Sequence, residues 1–228
     1  MTEVELDAGQ AQILLTRIDS GEVDVTGHDN GTMTVLSYGY FRSGEEILKE
    51  AAMKPDFRLQ DSEHVVLQQT PEQIHRARSS GAEIRVALDL PSLMSILQSR
   101  LKNGTLSVRG ITGLDVSLNS GTVHVNSNKG VTILSLGSGT VSLAGPTAGF
   151  RHQIVVGAGT VKVAAGWLLP LIQAEVIQGV IQGNYEGRLE RLGMSGWRLV
   201  PIQSDPDTSI ECRVSTGTIM LQKGLMST

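Results

Sequence analysis

Five histidines, one cysteine and a set of regularly spaced threonines are the residues of this chain that invite a chemical reading. His28, His64, His75, His124 and His152 are scattered, with no His-x-x-x-His pair and no carboxylate at ligand spacing, so they define no zinc set. Cys212 stands alone, which excludes an intrachain disulfide framework and a cysteine-cluster metal site. It falls five residues before Gly217 within an apolar alternation and reads as a buried, inert thiol. Gly137-Ser138-Gly139 and Gly157-Ala158-Gly159 imitate fragments of phosphate loops, but strand-like alternation follows them, so no helix N-terminus is offered to a phosphate. No nucleophile-elbow motif occurs either. The expectation is a protein without catalytic residues, cofactor or metal, and not an enzyme. What remains is Thr105, Thr122, Thr140 and Thr160, followed by Thr218, which share one outward-facing position of a recurring phrase.

That phrase is Asn-Gly-Thr-Leu-Ser-Val at 103–108, Ser-Gly-Thr-Val-His-Val at 120–125, Ser-Gly-Thr-Val-Ser-Leu at 138–143 and Ala-Gly-Thr-Val-Lys-Val at 158–163. It returns as Thr-Gly-Thr-Ile-Met-Leu at 216–221. With degenerate glycines at Gly179 and Gly196, the glycines advance in steps of 17, 18, 20, 20, 17 and 21. Each phrase is a turn former plus Gly followed by period-two alternation, the pattern of a tight turn opening a half-buried strand. Leu106, Val123, Val141, Val161, Ile181 and Ile219 form one inward column, and Val108, Val125, Leu143, Val163 and Leu221 form a second. A further strand precedes each glycine, at 114–118, 133–136 and 154–156. Two strands and two turns per 17–21 residues predict an all-β, single-domain β-solenoid, whose stacked coils share a thin apolar core. Neighbouring Ser107, His124, Ser142, Lys162 and Met220 complete the outward surface. β-Branched threonine suits a strand, so the column has a purely structural explanation; its alternative is a hydroxyl-rich recognition face for glycan or for ice, although the His, Lys and Met of the neighbouring column argue against a regular lattice match.

The 228 residues are 40% hydrophobic but only 4% aromatic, which suits a narrow aliphatic core. Net charge is −4 and no basic run occurs, which argues against a nucleic-acid partner. No stretch approaches 18 apolar residues, so direct membrane insertion is not expected. The start carries no signal-peptide pattern, so the chain as given reads as cytoplasmic.

Residues 1–90 depart from the repeat. Strands are expected at 11–18 and 22–26 around Asp19-Ser20-Gly21, then at 32–37, as a meander or as early coils. Ser43-Gly44-Glu45-Glu46 resembles a capping box before Ile47, Leu48, Ala51 and Ala52, which predicts one short helix over 44–54 stopped by Pro55. A hairpin over 57–68 follows, then a polar segment at 71–80, a helical turn or a loop, and a strand from Glu83 to Leu88. This portion could cap the regular stack of 91–228. In that stack, Trp167, Leu168, Leu169, Leu171 and Ile172 stand where earlier coils carry small turn residues. They either cover an edge of the 1–90 portion or form a candidate contact for a protein partner or a second copy.

Gly21-Glu22-Val23-Asp24-Val25-Thr26-Gly27-His28, the segment 44–54, Arg85-Val86-Ala87-Leu88-Asp89-Leu90-Pro91 and the Asn/Ser-Gly-Thr coils together resemble the putative-adhesin family of bacterial β-solenoid domains. The resemblance spans nearly the whole chain. It implies a bacterial, envelope-related, non-enzymatic interaction module, with no family residue set for catalysis. The competing readings are a self-assembling scaffold like bactofilins and a β-helix enzyme acting on carbohydrate.

Overall fold

The computed structural model describes residues 2–6, 13–28, 33–41, 47–48, 56–61, 64–80, 82–91, 96–126, 130–145, 149–164, 171–185, 187–201 and 208–222. These residues form fifteen strands and one helix. They are β1 (Thr2–Leu6), β2 (Ile13–His28), β3 (Met33–Phe41), β4 (Ile47–Leu48), β5 (Asp56–Leu59), β6 (His64–Gln68), α1 (Pro71–Ser80), β7 (Ala82–Pro91), β8 (Ile96–Arg109), β9 (Gly113–Asn126), β10 (Thr132–Ala144), β11 (Arg151–Ala164), β12 (Leu171–Gly183), β13 (Arg188–Leu192), β14 (Gly196–Val200) and β15 (Ser209–Gln222). The strands belong to one sheet, ordered β1-β3-β7-β2-β8-β9-β10-β11-β15-β12-β14-β13 along its main path. The described residues are therefore all-β apart from α1, as the alternating pattern implies.

The repeated phrase builds a parallel, in-register ladder. Gly104 pairs with Gly121, Gly121 with Gly139 and Gly139 with Gly159, and the flanking residues pair in the same register. The strands expected before and after each glycine are one strand of 13 or 14 residues that turns at the glycine. Burial changes phase there. In β9, Leu114, Val116 and Leu118 are buried on one side of Gly121, and Val123 and Val125 on the other. Both halves feed a single core.

The glycine is required twice over. At Gly139, φ is +134°, and a Cβ would lie 1.8 Å from the Gly121 carbonyl oxygen. No side chain fits unless the coils separate.

Two parts of the order differ from the expectation drawn from spacing. The last strand, β15, lies between β11 and β12: Gly217 pairs with Gly159 on one edge and with Gly179 on the other. Gly196 is not a ladder glycine. It begins β14, which pairs antiparallel with β12 and β13, and the carbonyls of Val176, Ile177 and Leu192 crowd it. The ladder also extends into the first 90 residues, because β2 turns at Gly21 and pairs with β8 from Ile13 to Thr26. The far edge of β2 is shared by β6 and β7, and β3 and β1 add antiparallel strands beyond β7.

The helix expected over 44–54 is corrected where it is described. Ile47 and Leu48 form β4, paired antiparallel with Tyr40 and Gly39, so cross-strand pairing overrides the local helical spacing there. The rest of that segment lies outside the described residues. The helix is α1, and its start is capped reciprocally. The Thr70 N–H donates to Gln73 Oε1 (2.8 Å) and the Gln73 N–H donates to Thr70 Oγ1 (3.3 Å), with Pro71 at the first helical position. The hairpin over 57–68 is present as β5 and β6.

Candidate functional site

In-register stacking turns the phrase into rows of side chains. Thr105, Thr122, Thr140, Thr160 and Thr218 stand on successive strands β8, β9, β10, β11 and β15, at the interstrand spacing of about 4.8 Å. All five are half-buried. The insertion of β15 makes the row continuous, since Thr218 follows Thr160 directly. Glu22 of β2 precedes the row and Val180 of β12 ends it. A second row runs Asp24, Ser107, His124, Ser142, Lys162, Met220 and Gln182, and a third runs Thr26, Arg109, Asn126, Ala144, Ala164 and Gln222.

Charge is segregated along these rows. The two carboxylates at the β2 end are held by Arg85 of β7, whose Nε lies 3.0 Å from Glu22 Oε2 and 3.6 Å from Asp24 Oδ2. From β8 to β15 the three rows contain Arg109 and Lys162 and no aspartate or glutamate. Both cations are exposed, and neither meets a carboxylate of another described residue. A shallow groove of about 410 Å³ opens at the β2–β8–β9 end, between Asp24, Thr26, Ser107, Arg109, His124 and Asn126, over Val25 and Val108.

The opposite outward face is built differently. There Arg213, Glu175, Arg198 and Glu190 stand on β15, β12, β14 and β13 with alternating sign. Their charges are matched within the protein: Arg198 grips Glu175 through Nε (3.1 Å) and Nη2 (2.9 Å), and Arg213 Nη2 lies 2.8 Å from Glu211. A cleft of about 270 Å³ between these residues is consequently lined by charges already paired.

The histidines expected to be scattered remain apart. His124 is exposed in the second row, and His152 is buried in β11 beside Thr132 and Ile210. His64 Nδ1 lies 2.8 Å from Asp61 Oδ1 in the β5–β6 turn, a contact that the spacing did not suggest. Among the described residues no group of three His, Cys, Asp or Glu side chains could hold a metal. Cys212 is fully buried between Ile154 and Ala174. Burial, with a smaller contribution from the neighbouring Glu211 charge, pushes its thiol up to about 12. Trp167, Leu168 and Leu169 of the candidate contact lie outside the described residues. Leu171 opens β12 half-buried, and Ile172 packs against the core. Arg109 and Asn126 were not singled out by sequence, although they sit two residues beyond Ser107 and His124 in the same alternation.

Glycine-turned, in-register β strands around one aliphatic core, with a polar row on the outside, define an all-β fold. No protein-family model matches the sequence, and no curated protein matches it. Among solved structures it is similar to a putative cell adhesion protein from Clostridium sporogenes, at 12% identity and a TM-score of 0.52, over 97% of this chain and 98% of that one. A putative adhesin from Bacteroides fragilis aligns over 97% of this chain and 95% of its own at 8% identity, with a TM-score of 0.37. At these identities the first likeness concerns the fold alone, and the second is too loose to support an argument.

Proposed function

We propose that the protein is a non-enzymatic, adhesin-like β-solenoid module of a bacterial cell envelope, and that the threonine-centred face is the surface by which it holds its partner. The observation that carries this reading is the unbroken five-threonine row flanked by cations that have no carboxylate partner among the described residues. Core packing accounts for the inward columns but makes no demand on the charge of the outer rows. The fold likeness to a clostridial cell adhesion protein supports the same direction. No helix among the described residues is long and apolar enough to cross a membrane.

The scaffold alternative is less favoured because the parallel ladder gives way to antiparallel strands at each end, β7 with β3 and β12 with β14. A unit that stacks without limit needs matching ends. A carbohydrate-cleaving enzyme would require a pair of carboxylates beside its substrate; the rows from β8 to β15 hold none, and Glu22 and Asp24 at their β2 end are both engaged by Arg85.

The test is retention of the purified protein on a bacterial envelope fraction. Thr122→Glu combined with Thr140→Glu should cut retention at least tenfold, with only a modest fall in melting temperature from the two carboxylates facing each other across β9 and β10. Undiminished retention would discard this face as the contact surface.

A further inference from the structure

We infer that the groove at the β2–β8–β9 end binds a carboxylate-bearing oligosaccharide, with Arg109 gripping the carboxylate and Ser107, His124 and Asn126 meeting ring hydroxyls. This rests on the reading of the outer face as a binding surface and adds the chemical class of its ligand. The whole chain carries net charge −4, yet the face from β8 to β15 carries Arg109 and Lys162 without one acidic side chain. Glu22 and Asp24, the carboxylates of β2 that adjoin these rows, are engaged by Arg85. An anion entering the groove therefore meets a guanidinium with no ion-pair partner among the described residues, one whose planar fork suits a carboxylate.

The rest of the lining is Asp24, whose carboxylate Arg85 engages, the apolar floor of Val25 and Val108, and four neutral polar side chains. Ser107, Thr26, Asn126 and His124 come from three adjacent strands, and the threonine row extends this hydroxyl lattice along the stack. Such groups can both donate to and accept from sugar hydroxyls. Single-stranded nucleic acid fits the face poorly. It would call for aromatic platforms and a basic track, whereas the three rows contain no Phe, Tyr or Trp and two fixed cations three strands, or about 14 Å of ladder, apart.

Calorimetric titration of the intact chain with oligogalacturonate, a hyaluronate oligomer and sialyllactose tests the inference. Methyl-esterified oligogalacturonate, cello-oligosaccharide and lactose serve as neutral counterparts, and a single-stranded oligonucleotide as competitor. At least one carboxylated sugar should bind, at least tenfold tighter than its neutral counterpart and more weakly as salt rises. Arg109→Gln should weaken that binding roughly tenfold, the scale of one charge-assisted contact, and Arg109→Lys should recover part of it. The exposure of Arg109 allows both variants to fold.

Absence of binding across the carboxylated panel, equal affinity for neutral sugars, insensitivity to Arg109→Gln, or tighter binding of the oligonucleotide would each overturn the assignment. If envelope retention still falls in the Thr122/Thr140 double variant while no carboxylated sugar binds, the ligand class fails and the contact face stands. If retention is also unaffected, both fail.

Discussion

From β8 to β11 the strands lie in space in the order in which they occur in the chain, but beyond β11 they do not, because β15 lies between β11 and β12. Both regions use the same glycine-centred phrase, so the phrase determines which columns a strand joins and leaves open which neighbour it takes. The choice follows from how much each strand can bury. β15 contributes Ile210, Cys212, Val214, Ile219 and Leu221 to the core, all nearly inaccessible. At the positions of Cys212 and Leu221, β12 carries Ala174 and Gly183. Ile177 of β12 is 56% exposed and Val180 40%. The richer phrase lies inside the ladder, and the poorer one lies near its end, partly covered by the antiparallel β14. Burial of each additional Val or Leu is worth about 1.5–3 kcal/mol, enough to decide the order.

Glycine substitutions should separate the ladder from its connections most strongly. Gly139→Ala should cost more than about 4 kcal/mol, since its Cβ would meet the Gly121 carbonyl. Gly149, at φ +85°, has nothing within 4 Å of its Cβ position, so Gly149→Ala should cost about 1–2 kcal/mol from backbone strain alone. Urea midpoints compare the two, and equal costs would mean that the coils do not approach closely.

Next in size is the contrast between inward and outward residues. Val141 is inaccessible and Ser142 is not. Val141→Asp should therefore destabilise by roughly 3–5 kcal/mol and Ser142→Asp by less than about 0.5 kcal/mol. Similar midpoints for the two variants would refute the inward assignment.

Cys212 probes the inserted strand. Its folded value, about 12, lies above the ordinary 9.0, so below pH 9 the thiol is protonated in both states and its contribution is complete. Between pH 9 and 12 the unfolded chain ionises first, and stability should fall by about 1.4 kcal/mol per pH unit from this group. Cys212→Ala should remove that component. Parallel pH profiles for the two proteins would place the thiol in solvent, and hence β15 outside the core.

The smallest effect is electrostatic. Glu175→Lys would set three cations side by side with Arg213 and Arg198. Because the native Arg198–Glu175 pair is partly exposed, at 49% and 31% of its side chains, the cost should be about 1 kcal/mol or less and should shrink in high salt. Ser135→Lys, in the equivalent row of the regular ladder, should change thermal stability negligibly.

These contrasts also mark what was legible in the residues. The glycine phrase and both inward columns are local patterns, and Val141 and Val161 are buried as their alternation implies. The position of β15 was not legible, since its phrase fits either edge equally well by column. The 44–54 segment misled because Ile47 and Leu48 fit a helical stripe as well as a short strand, and pairing with β3 decided between them. Thr70-Pro71-Glu72-Gln73 held a true cap in a stretch too polar to suggest a packed helix. Of the site, the threonine row was legible because each phrase repeats it. The charge segregation around Arg109 was not, because it depends on which strands become neighbours.

Disulfide trapping tests the strand order most directly. In a Cys212→Ala background, Lys162→Cys with Met220→Cys places two thiols on adjacent, in-register strands, about 4.8 Å apart along the ladder and within the range that a disulfide spans. Lys162→Cys with Gln182→Cys places them two strands apart, across β15, at about 9.6 Å and beyond that range. Rapid intramolecular oxidation of the first pair and none of the second is the predicted result. Oxidation of the 162–182 pair without the 162–220 pair would show β12 lying directly on β11, and would break the continuous outer face on which the functional reading depends.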